Sequence, residues 1–135
     1  MKTFLFRLWQ WTWGLPQTLI GFVLWCIHRK KPRFVYRGCV VTRWNVRGSL
    51  GVGMFLFVNE EHYQKDPQVL IHEFGHAVQS VILGPLFLPV MGIPSFLWCN
   101  LLPCKKLRKE KGISYYRFYP ECSANWLGKR FCKQQ

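Results

Sequence analysis

The stretch Val69-Leu70-Ile71-His72-Glu73-Phe74-Gly75-His76-Ala77-Val78-Gln79-Ser80-Val81-Ile82-Leu83 reads as one largely apolar helix, opened by Asp66-Pro67 and stopped by Gly84-Pro85. An α-helix turns about 100° per residue, so His72 and His76, four positions apart, stand nearly above one another and both rings can meet one metal ion. Two imidazoles at this spacing suit zinc, and Glu73 sits beside the metal they would hold. A glutamate so placed serves as general base toward a water whose pKa the metal lowers to about 7, which points to amide hydrolysis. Given the four histidines of the chain, the number of His-Glu-x-x-His matches expected by chance is only about 0.004. The plainer alternative is a buried helix whose histidines are satisfied by hydrogen bonds.

Two histidines and a water leave tetrahedral zinc one protein ligand short. His28 ends an apolar segment and His62 lies in the loop before the helix, so both read better as structural residues. Downstream, the acidic residues are Glu110, embedded in Lys105-Lys106-Leu107-Arg108-Lys109-Glu110-Lys111 and read as a solvated charge, and Glu121. Glu121 follows Pro120 in Tyr119-Pro120-Glu121-Cys122-Ser123-Ala124-Asn125-Trp126-Leu127-Gly128, where the proline suits the first turn of a second helix. A carboxylate there is also stabilised by the helix dipole alone.

A His-Glu-x-x-His helix followed by a glutamate from a later helix, with an Asp or Asn four positions on, resembles the gluzincin branch of zinc metallopeptidases. The resemblance implies His72, His76 and Glu121 as metal ligands, Glu73 as catalytic base, and Asn125 where the family usually has an Asp bonded to a ligand histidine. Asn125 can still accept from an imidazole N–H but carries no charge. The longer cassette, Ile71 to Ser80, then Gly84-Pro85-Leu86, then Gly92-Ile93-Pro94-Ser95, is similar to a group of small bacterial membrane-associated proteins classed with the peptidases but without known chemistry. That likeness bears on architecture more than on substrate.

The 135 residues leave room for one small domain. Leu8 to His28 holds 21 residues without Lys, Arg, Asp or Glu, with Trp9, Trp11 and Trp13 at one end and Trp25 at the other. That is enough for a transmembrane helix across a hydrocarbon core of about 30 Å, although Pro16 and Gln17 interrupt it. Residues 1–31 are accordingly expected to be an N-terminal membrane anchor, and residues 32–135 a zincin-like metallopeptidase domain. Lys2 and Arg7 precede the span, while Arg29, Lys30, Lys31, Arg33 and Arg37 follow it. This bias places the catalytic domain on the cytoplasmic side, in a bacterial inner membrane as the resemblance implies. The six cysteines show no CxxC pair and are expected as reduced thiols. A net charge of +13 could signal nucleic acid, but the basic residues cluster beside the most apolar segments. Anionic lipid headgroups are the better partner, with no nucleic acid.

Ser80 to Cys104 gives a second uncharged stretch of 25 residues. A full crossing would separate His76 from Glu121, and Gly84, Pro85, Pro89, Gly92, Pro94 and Pro103 cut the stretch into short pieces. A membrane-dipping segment over 80–104 is expected, or else a loop packed over the zinc helix. Phe34 to Val41 and Gly53 to Val58 read as strands with turns at Asn45, Gly48 and Gly51. The expected fold is therefore α+β: a minimal zincin-like domain with a small antiparallel sheet, the His-Glu-x-x-His helix and a later Glu-bearing helix. In zincins, as the resemblance implies, an edge strand pairs with extended substrate, and Gly51-Val52-Gly53-Met54-Phe55 is the candidate. Tyr115, Tyr116, Arg117 and Tyr119 are candidates to polarise the scissile carbonyl, or else interfacial aromatics.

These readings favour a membrane-anchored zinc metallopeptidase acting on a peptide or protein substrate. The alternatives are an intramembrane site-2-type protease, which usually takes an Asp as third ligand where this chain has none after Asp66, and a non-catalytic membrane adaptor with a structural metal site.

Overall fold

The computed structural model describes residues 3–46, 48–114 and 117–133. Among them the chain forms seven α-helices and one four-stranded sheet in the order β1-β2-β4-β3. Strands β1 (Arg33–Tyr36) and β2 (Cys39–Trp44) make a hairpin whose two turn residues, Arg37 and Gly38, both have positive φ, at 49° and 89°. This is the backbone twist that two-residue hairpins favour. The chain then crosses to the far edge as β3 (Leu50–Val52) and returns as β4 (Phe55–Asn59) between β2 and β3.

The sheet is therefore mixed, which corrects the expectation of an antiparallel one: β2 and β4 run parallel, with Val41 opposite Leu56, while β3 and β4 run antiparallel. The physical reason is the order of insertion. The reversal needed between β2 and β4 is used up by β3, so β4 enters in the direction of β2. Phe55, Leu56, Phe57 and Val58 are all buried, as a central strand covered on both faces requires. Phe55 packs edge-on against Phe22 and tilted against Trp25 of the second helix, and Phe57 stacks on Trp44. Strand alternation leaves Leu56 and Val58 for the opposite face.

The N-terminal segment departs most from expectation. Leu8 to His28 is not one transmembrane helix. It divides into α1 (Thr3–Thr12) and α2 (Leu15–Ile27), broken at Trp13-Gly14 with Pro16 in the first turn of α2. No described helix is long and apolar enough to cross a membrane. The two helices are held to the protein by buried polar groups that a bilayer would not tolerate unpaired. Gln10 Nε2 donates to the carbonyl of Ala77 at 3.0 Å, Ser80 Oγ donates to Gln10 Oε1 at 2.7 Å, and Gln17 Nε2 donates to Ser80 Oγ at 2.6 Å and to the carbonyl of Gly84 at 2.9 Å. Gln10, Gln17, Thr18 and Ser80 are fully buried. The placement in a bacterial inner membrane, with the catalytic domain on the cytoplasmic side, rested on that span and is corrected with it, because positive-inside bias applies to the flanks of a crossing segment.

A short helix, α3 (Glu60–Lys65), capped by the Asn59 side chain, leads into α4 (Gln68–Leu83), which carries the two histidines. After α4 the chain makes a 3-10 turn (Gly84–Leu86) and a π-helical turn (Leu88–Gly92), then α5 (Ile93–Asn100) and the basic α6 (Leu102–Lys111). The 80–104 segment thus breaks into short pieces after α4, with Phe87 buried, and holds no helix long and apolar enough to cross a membrane. The last helix, α7 (Tyr119–Lys133), packs along α4. Gly75 faces Ala124 and Gly128 faces Ile71, so the two helices run in opposite directions, each with a glycine where backbones meet. All six cysteines are free thiols.

Candidate metal centre

The closeness of α4 and α7 brings together residues 49 apart in sequence: Glu121 Oε2 lies 2.7 Å from His72 Nε2 and 3.4 Å from His76 Nε2. One donor atom from each of the three lies within 4.8 Å of the others, and all three residues are buried, Glu121 completely. The group can hold a metal ion.

The surrounding hydrogen bonds decide which imidazole nitrogens face inward. Gln79 Nε2 donates to the carbonyl of Pro120 at 2.8 Å and to Ser123 Oγ at 2.7 Å. Its Oε1 is thereby left to accept from His76 Nδ1–H at 2.8 Å. His72 Nδ1–H likewise donates to Asn125 Oδ1, at 2.8 Å. With both protons fixed on Nδ1, both Nε2 lone pairs point at a carboxylate. Three electron-pair donors converging in a buried space require a positive charge between them, and a divalent metal satisfies that requirement.

In the metal-free protein a proton takes this part. Burial opposes charge on His72, but the hydrogen bond to Glu121, together with the charges of Glu73 and Glu121, outweighs it and raises the imidazole to about 9. Glu121 is held well below the usual carboxylate range: burial works against this, and the hydrogen bond from His72, with the His76 ring and the Ser95 hydroxyl close by, overcomes it. A metal must therefore displace the His72 proton at neutral pH. Metal affinity is expected to rise about tenfold per pH unit until pH approaches 9, with release of about one proton per metal bound. Calorimetry in buffers of different ionisation enthalpy measures this directly; binding without proton uptake by the buffer would contradict it.

Glu73 is buried beside the donors but is not among them. Burial lifts its carboxyl above the usual range, against the pull of His72 and His76. It abuts β3: a Cβ on Gly51 would lie 3.1 Å from Glu73 Oε2 and 2.9 Å from its carbonyl oxygen. The metal group opens into a cleft of about 640 Å³, walled by Leu50, Gly51 and Val52 on one side and by Phe87, Ile93 and Phe96 on another. Strand β3 is an edge of the sheet, so its outer backbone groups border the cleft; Phe55 belongs instead to the interior strand β4.

Other sequence candidates fall elsewhere. His28 Nδ1–H donates to the carbonyl of Leu24, and its ring lies against Trp44, away from the centre. His62, on α3, lines the cleft without joining the donor group, and Glu110 is exposed on α6. Tyr119 turns its hydroxyl to the carbonyl of Val90, and Arg117 is exposed outside the cleft lining; Tyr115 and Tyr116 lie outside the described residues. Two residues at the centre carry no role in the sequence reading. Gln79 had a signal, since a residue three positions after His76 shares its helix face. Ser95, whose hydroxyl donates to Glu121 Oε1, had none, because the fold of 84–95 alone brings it there.

Compared with known proteins, the chain matches no family model, no curated protein and no solved structure.

Proposed function

We propose that this chain is a zinc-dependent metallopeptidase of gluzincin type, with His72, His76 and Glu121 as the metal ligands and Glu73 as general base. The observation that carries the reading is the convergence of two Nε2 lone pairs and one carboxylate beside a second, uncommitted carboxylate, that of Glu73, at the side of a cleft. Two imidazoles and one carboxylate fit zinc, and three protein donors leave a position open, as catalytic sites do and structural sites do not. Bound there, zinc would supply Lewis-acid polarisation of a carbonyl and a water of lowered pKa.

The protein's own groups do the rest. Asn125 and Gln79 keep the histidines in the metal-binding tautomer, and Ser95 fixes one carboxylate oxygen of Glu121 so that the other faces the histidines. The carboxylate of Glu73 accepts a proton from the attacking water and delivers it to the leaving amine. The exposed edge of β3 offers backbone N–H and C=O groups to an extended peptide, and the lack of a side chain on Gly51 lets that strand lie against Glu73.

The test is hydrolysis of a fluorogenic peptide mixture by the purified protein, stripped by a chelator and then reloaded. Loss of cleavage on stripping and recovery with about one equivalent of zinc per chain are expected. A protein that binds zinc stoichiometrically yet cleaves no peptide would remove the peptidase reading and leave the metal centre standing.

A further inference from the structure

Helices that cover a sheet ordinarily turn their apolar stripe inward and their polar residues to water. In α2 this order is partly inverted, although Leu24 and Trp25 do pack on the core. Gln17, Thr18 and Gly21 face the protein, whereas Leu15, Leu19, Ile20, Val23 and Ile27 face out, Val23 being 55% and Ile27 68% exposed. Helix α1 does the same in part, burying Gln10 beside Phe6 and exposing Phe4, Leu5, Leu8 and Trp9.

The inverted face extends beyond these two helices. The Trp9 indole donates to the carbonyl of Val81, and the Trp13 ring covers Gly84, so α1 lies beside the exposed Ile82 and Leu86. Ile20 of α2 shares the lining of the metal cleft with Ile93 and Phe96 of α5, which are themselves exposed, Phe96 at 61%. One apolar surface thus runs from α1 over α2 and the end of α4 to α5, with the mouth of the cleft in its course. Patches of this kind on a water-soluble surface mark a place where something other than water is meant to lie.

Charge indicates what lies there. No acidic residue precedes Glu60, and none occurs between Ser80 and Cys104. Basic clusters stand where the apolar segments end: Arg29, Lys30, Lys31 and Arg33 after α2, and Lys105, Lys106, Arg108, Lys109 and Lys111 in α6 directly after α5. An aliphatic and tryptophan-bearing surface bordered by cations and free of anions matches a lipid layer with anionic headgroups. A second copy of the chain would set +13 against +13.

We infer that this face docks in plane on an anionic lipid surface, its apolar side chains at the headgroup–acyl boundary and the mouth of the metal cleft beside that surface. This is contact with one leaflet and needs no crossing, which helices of 10 and 13 residues could not make. The docking does not rest on the peptidase reading, because it is measured without a substrate.

The experiment is co-sedimentation of the full chain with sucrose-loaded vesicles of phosphatidylcholine alone or mixed with phosphatidylglycerol. Binding to the mixed vesicles is expected to be at least about tenfold tighter than to neutral ones and to weaken with salt. The exposed pair V23E/I27E should bind at least about tenfold more weakly, with its metal content unchanged as proof of folding. K105Q/K106Q should lose part of the preference for phosphatidylglycerol while keeping residual apolar binding. Wild type left in the supernatant with both vesicles, or V23E/I27E binding as well as wild type, overturns the inference. A discrete dimer of the wild type that V23E/I27E abolishes also overturns it, assigning the face to a second copy.

Discussion

Replacing Gly75 with alanine is expected to lower the stability of the protein by at least about 2 kcal/mol and to abolish metal binding. Taken alone, the exchange should help: alanine is favoured over glycine inside a helix by about 1 kcal/mol. Packing decides against it. A Cβ at Gly75 would lie 1.8 Å from the carbonyl oxygen of Ala124 and 2.5 Å from its carbon, both backbone atoms of α7 that no rotamer change can move. Regaining van der Waals distance would push the helices apart by roughly 1.5 Å. Glu121 and Asn125 ride on α7 and would move with it, away from His72 and His76 on α4. Thermal unfolding and metal content check the result together. A Gly75→Ala protein as stable as wild type, with full metal content, would show that the helices do not pack as closely as described.

Glu73→Gln is expected to separate chemistry from metal binding and from stability. The amide is nearly isosteric with the carboxylate, so the contact with Gly51 and the position of α4 are kept. Glu73 supplies none of the three converging donor atoms, and metal content should stay at the wild-type level. Peptide hydrolysis should fall by about a thousandfold or more, since glutamine can neither take nor return a proton. Stability should not fall with it, because the change removes a carboxyl group whose ionisation burial already opposes. Activity retained within tenfold at full metal occupancy would take the role of base away from Glu73; loss of metal would instead place it among the ligands.

What could be read from the sequence divides along physical lines. The limits of α4 were legible because Asp66-Pro67 and Gly84-Pro85 are local signals acting on the residues beside them. The pairing of that helix with Glu121 was not local, and only the resemblance to gluzincins pointed to it. The glycines that allow the approach, Gly75 and Gly128, stood in plain view, but glycine in a helix reads as a weakness until its neighbour is known. The N-terminal segment misled because hydropathy averages over a window. An uncharged run of 21 residues looked like a span, while the inward-facing Gln10 and Gln17, which tie it to α4, and Thr18, which ties α2 to α1, were averaged away. Gly14 and Pro16 did mark the break. For the sheet, alternation finds strands but not partners: the parallel pairing of β2 with β4 follows from the short return strand β3, and the turn at Arg37-Gly38 puts a bulky residue in a conformation its type seldom adopts.

The most direct test of the metal centre is the metal content of the purified wild type beside His76→Ala and Glu121→Ala, measured by elemental mass spectrometry after zinc loading and dialysis. The expected result is about one zinc per chain in the wild type and a large loss in both variants, since each removes one of the three donors that the described residues bring together in a buried site. Zinc retained in Glu121→Ala at the wild-type level, or absent from the loaded wild type, would contradict the three-ligand centre on which the proposed chemistry depends.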